Sequence, residues 1–217
     1  MNGLRGQLIP RKPNRRIMHS LEEDIAFMNR LFESHYARCH PFHVAREDPA
    51  DAGVPPAMQD GPVDGEGWVR WRMLPSVVGP SDLVPVEQAL GVTLPRLLQA
   101  YLLGHHQLFD QVGSHDCTFL MPATPLDRPF EDFVARAKAW HPLLRAGLLP
   151  FGDHGDGWGP ACLDLQTPRP DEDHPVVWLD HEPLSQLPPE SIDSRTSVQH
   201  LIQPLYPSFR EFVISMY

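Results

Sequence analysis

Apolar residues recur along the chain at two spacings, which separate helical from extended segments. The spacing of three and four residues after Ser20 predicts a helix over 20–36, and Ser20 with Glu23 forms a capping box at its start. The same spacing predicts two short helices on either side of Gly91, a longer one before residue 141 and a last one near residue 209. We expect a capping side chain at the start of each later helix: Asp82, Thr93, Asp127 and Ser208.

The stretch 148–182 alternates short apolar runs with glycine- and aspartate-rich turns, which is typical of three β-strands with short connections. A further strand is predicted at 117–121, and residues 68–74 are predicted to form a short strand or an amphipathic segment. Strands that follow one another this closely pair antiparallel, because parallel pairs need long crossovers. We therefore predict an α+β fold in which helices pack on one side of a mainly antiparallel, twisted sheet.

Proline- and glycine-rich segments suggest where the chain divides. Residues 41–67 hold five prolines and four glycines without an apolar period, so we expect a linker or a draped loop there. Residues 1–67 are accordingly interpreted as an N-terminal extension, made of a basic arm, the helix 20–36 and this linker, and 68–217 as the main domain. Residues 183–207 are expected to form an irregular return to the last helix.

The net charge of −10 is unevenly distributed. Residues 1–19 carry five basic and no acidic side chains, so the rest of the chain carries −15. An acidic body disfavours nucleic acid and favours basic partners. Three widely spaced cysteines argue against a disulfide framework and a zinc ribbon, and no apolar run approaches the length of a membrane span. We expect a protein of the cytoplasm, with no leader peptide and no membrane contact.

The order of several motifs resembles the SUKH superfamily over residues 68–217. The residues that carry this resemblance are 71–75, EQALGVTLP at 87–95, PFGDHGDG at 150–157, Leu163 with Asp164, the strand at 176–179, and SFREF at 208–212. The sequence departs from the family pattern at Gly104–His106, where an Asn-Gly turn is expected, and at Trp158 within the glycine loop. The resemblance implies an α+β domain with no catalytic activity of its own. The superfamily includes fungal regulators of cell-wall synthesis and many bacterial immunity proteins that neutralise nuclease or deaminase toxin domains.

Catalytic and metal-binding patterns are incomplete in this sequence. Twelve histidines suggest a metal site, but no HxxxH pair is present, and the neighbours His105 and His106 would point in different directions on a helix. The acidic loop at 152–159 lacks the calcium-loop spacing, a P-loop lysine and a GxSxG elbow. We predict no catalytic residue, no metal ligand and no cofactor.

The polar side chains around the three central strands are instead interpreted as a recognition surface. Trp158 either packs down on the sheet, which is the commoner position for a tryptophan, or projects as an aromatic anchor for a partner. The predicted partner-binding residues are Asp153, Asp156, Trp158, Asp171, Glu172, Asp173, Asp180 and Glu182.

The favoured hypothesis is an immunity protein whose acidic face occludes a basic toxin protein. Two alternatives stay open at the level of sequence. One is a metal-dependent hydrolase that uses the histidine- and aspartate-rich loops, and the other is a regulatory scaffold inside the cell.

Overall fold

The computed structural model describes residues 20–46, 53–114, 117–155, 157–167 and 173–217. The helices are α1 (Leu21–Tyr36), α2 (Val84–Leu90), α3 (Arg96–Leu102), α4 (Glu131–Ala139), α5 (His141–Arg145), α6 (His181–Ser185), α7 (Arg195–Val198) and α8 (Phe209–Met216). The strands are β1 (Phe42–Val44), β2 (Trp68–Arg70), β3 (Gln111–Ser114), β4 (Cys117–Leu120), β5 (Leu148–His154), β6 (Pro160–Asp164), β7 (Val176–Leu179) and β8 (Ile202–Tyr206).

Six of the strands form one sheet in the order of the sequence, β3-β4-β5-β6-β7-β8, and every neighbouring pair is antiparallel. β1 and β2 form a separate antiparallel ribbon. The predicted α+β class is therefore confirmed. The β5–β6 register shifts between Pro150 and Gly152, which re-aims the end of β5 towards the glycine loop.

One face of the sheet carries the larger core. Phe119 and Phe151 of the sheet pack edge-on against Phe209 and Phe212 of α8, with ring centroids 5.0 to 5.4 Å apart. These four rings are at most 1% exposed, and α3 and α1 continue the same core outwards. The apolar stripe of α8 predicts this burial, because it places Phe209, Phe212 and Val213 on one side of the helix.

The opposite face carries a smaller core under three short helices. Its buried members are Leu148, Cys162, Val177 and Leu179 from the sheet, Leu143 and Ala146 from α5 and the residue after it, Leu184 from α6 and Val198 from α7. Strands covered on both faces are apolar at successive positions, as β5 and β6 are. The short helices α5, α6 and α7 therefore cover the second face of the sheet, in addition to the helices on the first face.

Helix α1 is joined to the main core by apolar packing and by a buried carboxylate. It packs along α3, with Met28 and Phe32 completely buried. Asp24 is 1% exposed and accepts from Arg96 of α3 at 2.8 Å and from Arg210 of α8 at 2.5 Å. This carboxylate holds three helices together, although the division of the chain at residue 67 stays a prediction.

The predicted caps are confirmed at two helices. The Ser20 and Glu23 capping box is present, with Oγ of Ser20 accepting from the Glu23 N–H at 3.2 Å. Ser208 Oγ accepts from the Glu211 N–H at 3.1 Å at the start of α8. Gly91 ends α2 with φ at 68°, as expected for a left-handed cap.

The other three predicted caps are wrong, because each helix begins at a different residue. Asp82 lies in a 3₁₀ turn before α2 and accepts from the Gly79 N–H at 2.7 Å. Pro95, not Thr93, is the residue before α3. Asp127 forms an ion pair with Arg46, 81 residues earlier, and α4 begins only at Glu131.

Two segments predicted to be irregular contain secondary structure. The described part of 41–67 includes β1 and a 3₁₀ turn at Pro56–Met58, and β1 pairs with β2. The return over 183–207 contains α7 and the edge strand β8. Pro204 argues against a strand at the level of sequence. An edge strand tolerates proline, because the N–H groups on its outer side make no hydrogen bonds to a neighbouring strand.

Candidate partner-binding surface

Trp158 lies in the connection between β5 and β6 and is 58% exposed. The packed position that is commoner for tryptophan is therefore wrong for this residue. The indole nevertheless contacts the protein along one edge, where its ring centroid lies 5.7 Å from that of His154.

The backbone of Trp158 is fixed by three hydrogen bonds. Its N–H donates to the His154 carbonyl at 3.1 Å. Its carbonyl accepts from the His181 N–H at 3.0 Å and lies 3.1 Å from the His181 Nδ1, which therefore carries the ring proton. Gly159 follows at a φ of 134°, and a Cβ there would stand 2.1 Å from the Leu179 carbonyl oxygen, so only glycine lets the loop approach β7 this closely. The turn is held on both sides although the side chain faces solvent.

The His154 ring supports Trp158 from below. It contacts Phe119 at 4.9 Å and Trp178 at 4.8 Å between ring centroids. Burial lowers the pKa of His154 below its ordinary value, which favours a neutral ring at neutral pH. The exposed indole thus rests on an aromatic stack that continues into the core.

Two of the predicted carboxylates are the sequence neighbours of His181, which binds the Trp158 backbone. Asp180 precedes α6 and caps it, with its Oδ1 accepting from the Glu182 N–H at 2.9 Å. The Asp180 side chain is 38% exposed, and Glu182 is exposed. Because His181 binds the Trp158 carbonyl, the start of α6 is fixed to the tryptophan turn. We call Trp158, Asp180 and Glu182 the tryptophan surface.

The remaining predicted site residues are not part of the tryptophan surface. Asp153 accepts from Arg136 Nη1 at 2.9 Å, and burial raises its pKa while the Arg136 charge opposes the rise. Asp173 is buried, accepts from the Arg210 N–H at 3.2 Å and precedes β7, whereas Asp180 follows it. Asp156, Asp171 and Glu172 lie outside the described residues.

The histidines considered as metal ligands have other partners. His105 Nε2 lies 3.0 Å from Glu33 Oε1, and His106 is buried between two backbone groups. Within the described ranges, no group of three or more His, Cys, Asp or Glu side chains is placed to hold a metal ion. No helix in that part of the chain has the length and apolar character needed to cross a membrane.

One feature that sequence reasoning missed is a cleft of about 380 Å³ beside α4. Its walls come from residues near 43–46, 53, 108–110, 123–125 and 128–136. These segments are distant in sequence and share no motif, so no local pattern indicates that they meet. We call this the α4 cleft.

Curated proteins give local matches to the chain. Catalase-peroxidase 1 of Mycolicibacterium fortuitum is 34% identical over 87 residues, which are 40% of this chain and 11% of that protein. The catalase-peroxidase of Mycobacterium sp. strain KMS is 31% identical over 87 residues, with the same coverage. The chain thus spans about 11% of the length of these relatives.

A family model covers much more of the chain. The model described as the SMI1 / KNR4 family (SUKH-1) matches residues 78–215, which include α2, α3 and the whole six-stranded sheet. The match also contains the tryptophan surface and α8 as far as Ser215. The chain therefore belongs to the SMI1 / KNR4 family (SUKH-1).

Proposed function

We propose that this chain is a non-catalytic protein-binding domain, an immunity protein that binds and neutralises a cognate bacterial toxin domain of nuclease or deaminase type. The observation that carries the proposal is Trp158, a large apolar side chain that is 58% exposed on a turn fixed by its backbone. Membership of the SUKH-1 family supports protein binding as the mode of action.

Trp158 has the physical properties of a binding hot spot. Tryptophan is enriched among residues that dominate interface energies, because a rigid ring buries a large apolar area at low entropic cost. The turn around Trp158 is already ordered by its bonds to His154 and His181, so little loop ordering accompanies binding. The partner would bury the exposed face of the indole, while the other edge stays on His154.

Carboxylates give the same surface its charge preference. Asp180 and Glu182 flank His181 in sequence, the residue that binds the Trp158 carbonyl, and the chain as a whole carries −10. A basic face of a toxin domain, of the kind that binds nucleic acid, is complementary to this arrangement. Neutralisation would follow from steric occlusion, with the carboxylates occupying cationic groups that the toxin needs for its substrate.

The test is co-expression of this chain with the product of the neighbouring gene, followed by growth rescue and a measured Kd. We expect Trp158→Ala to weaken binding about 30-fold or more, since hot-spot truncations cost about 2 kcal/mol or more. Val77, which is 74% exposed, provides the matched apolar control as Val77→Ala. Glu182→Lys should abolish rescue, whereas Glu66→Lys, at an exposed carboxylate of the segment before β2, should preserve it.

These experiments test separately whether the chain neutralises a toxin and whether the tryptophan surface is where it binds. A harmless neighbour, or a toxic neighbour that forms no complex with the wild-type chain, contradicts the immunity proposal. A tight complex that Trp158→Ala leaves unchanged contradicts the placement on the tryptophan surface.

A further inference from the structure

The α4 cleft combines an apolar wall with a charged mouth. Its apolar lining consists of Leu108, Ala123, Pro125 and Ala135. Its charged lining consists of His43, Arg46, Asp110, Arg128, Glu131, Asp132 and Arg136. With three arginines and three carboxylates, the sign of the charge that a ligand meets depends on which groups are already paired.

Two of the three arginines of the cleft are turned inwards and engaged. The Arg46 side chain is 3% exposed, pairs with Asp127 and donates from Nη2 to the Gly53 carbonyl at 3.3 Å. Arg136 is 20% exposed and donates to Asp132 Oδ1 at 3.1 Å and to Asp153 Oδ2 at 2.9 Å. These guanidinium groups therefore have their charge satisfied within the fold.

Two carboxylates at the mouth face outwards instead. Glu131 is 66% exposed and forms a loose ion pair with Arg128, whose Nε lies 3.6 Å from the Glu131 Oε2 and whose side chain is 24% exposed. Asp110 is 58% exposed and has His43 Nε2 at 3.4 Å from one oxygen. That hydrogen bond lowers the pKa of Asp110, which keeps the group ionised at neutral pH. The mouth therefore offers to solvent the oxygens of two exposed carboxylates, against the single partly exposed guanidinium of Arg128.

We propose that the α4 cleft is a socket for one long basic side chain, Lys or Arg, of a bound protein. The proposal rests on the proposed function in that the occupant belongs to a protein partner. Long basic side chains lay their methylene stems on apolar surface and keep the charged head at a polar edge. The apolar wall at Leu108, Pro125 and Ala135 receives the stem, and Asp110 and Glu131 receive the head. A carboxylate or phosphate ligand would meet the exposed acidic groups first.

The test uses a small probe and needs no toxin. The ¹⁵N-labelled full-length chain is titrated with Nα-acetyl-arginine methylamide, with the lysine analogue, and with the citrulline analogue, which has nearly the same shape and no charge. We expect saturable shifts of the amide signals of 108–110 and 131–136 with the two basic probes, at a Kd of about 1–10 mM, as suits a weak site that buries a methylene stem and adds one partly exposed ion pair. The citrulline analogue should bind at least fivefold more weakly.

Variants of Asp110 and Glu131 test whether these two carboxylates bind the basic probes. The double variant Asp110→Asn, Glu131→Gln should weaken the arginine probe at least fivefold, and its own spectrum reports whether the fold is kept. Glu66→Gln removes an exposed carboxylate elsewhere and should leave the Kd unchanged. Raising the salt concentration to 0.5 M should also weaken the basic probes, since the charges at the mouth are exposed.

Three results would overturn the socket: no saturable shift at these residues, equal binding of citrulline, or full binding by the double variant. Trp158→Ala should not change the probe affinity. Loss of toxin binding by Trp158→Ala with normal probe binding therefore concerns the tryptophan surface alone, and failure of the probe leaves the immunity proposal standing.

Discussion

His106 is a buried histidine whose two ring nitrogens both meet backbone groups. Its Nδ1 lies 3.1 Å from the Thr124 carbonyl, and its Nε2 lies 3.2 Å from the Val77 nitrogen. Since a carbonyl only accepts, Nδ1 carries the proton and Nε2 accepts from the Val77 N–H. A proton added to Nε2 would face another N–H. The fold therefore holds His106 as one neutral tautomer.

This arrangement predicts a loss of stability in mild acid. Burial lowers the pKa of His106, while the Thr124 carbonyl acts in the opposite direction. The unfolded chain binds the proton at an ordinary histidine pKa of about 6.5, so the contribution of His106 is complete above that pH and is lost as the pH falls below it. We expect the free energy of unfolding in urea to decrease from pH 7 to pH 5, and ¹⁵N spectra to show the Nδ1–H tautomer at pH 6.

His106→Asn isolates this effect from the other histidines. It should cost about 1–3 kcal/mol at pH 8, because the Val77 N–H loses its acceptor, and the decrease between pH 7 and pH 5 should become smaller. A native His106 that titrates at pH 6.5 or above, or an unchanged pH slope in the variant, would contradict the assignment.

At the scale of elements, one ion pair attaches α7 to the centre of the sheet. Arg195 donates from Nη1 and Nη2 to the two Asp164 oxygens of β6, at 3.0 and 2.8 Å. The Asp164 side chain is 8% exposed, so this bidentate pair is largely shielded from water. Burial raises the pKa of Asp164, yet the Arg195 hydrogen bonds and charge outweigh it and leave the pKa lowered.

We expect Arg195→Met to destabilise the chain by about 2–3 kcal/mol at pH 7, because it leaves a buried carboxylate without its cation. Because the pKa of Asp164 is lowered in the folded state, its ion pair contributes fully to the free energy of unfolding above about pH 3.8, the ordinary aspartate pKa. This contribution is lost as the pH falls further. The difference between wild type and variant should therefore narrow towards pH 3, as measured by urea unfolding at each pH.

Arg145→Met is the matched control, since the Arg145 Nε pairs with Asp193 at 3.2 Å but is 62% exposed. It should cost less than about 1 kcal/mol. Equal effects of the two substitutions would show that burial of the Asp164 pair has no energetic consequence.

The elements that could be predicted from sequence are those whose determinants are local. The caps at Ser20 and Ser208 need only a partner three residues later, and both are present. Asp127 carries the same local signal, but Arg46 recruits its carboxylate from a distant segment. β8 could not be predicted from its own sequence, because Pro204 interrupts it. Its place in the sheet depends on pairing with β7.

At the scale of the molecule, the two candidate sites also differ in whether local sequence or distant contacts determine them. The residues of the tryptophan surface could be singled out from the sequence because Trp158 interrupts a run of glycines and aspartates and the flanking strands lie close in sequence, and their role in binding stays a prediction. The exposure of Trp158 could not be predicted, since it depends on contacts with His154 and His181 that fix the turn. The α4 cleft needs segments separated by more than sixty residues to meet, and so only the folded chain reveals it.

Phe32 links the N-terminal helix to the domain that the family model matches. It is completely buried, and its ring contacts those of Tyr101 and Tyr217 at 5.3 Å and of Phe109 at 6.3 Å. Three of these four rings lie outside the predicted extension 1–67. If α1 shares one cooperative core with them, removal of this ring destabilises the whole chain.

We expect Phe32→Ala to cost about 3–5 kcal/mol in a single urea transition seen alike by circular dichroism and tryptophan fluorescence, because a large buried ring leaves a cavity. Phe42→Ala, in the same N-terminal region but 54% exposed, should cost much less. Two separate transitions, with the later one at the wild-type midpoint, would instead show that α1 unfolds independently. That outcome would support the predicted division of the chain at residue 67, and a shared transition would place α1 within the domain.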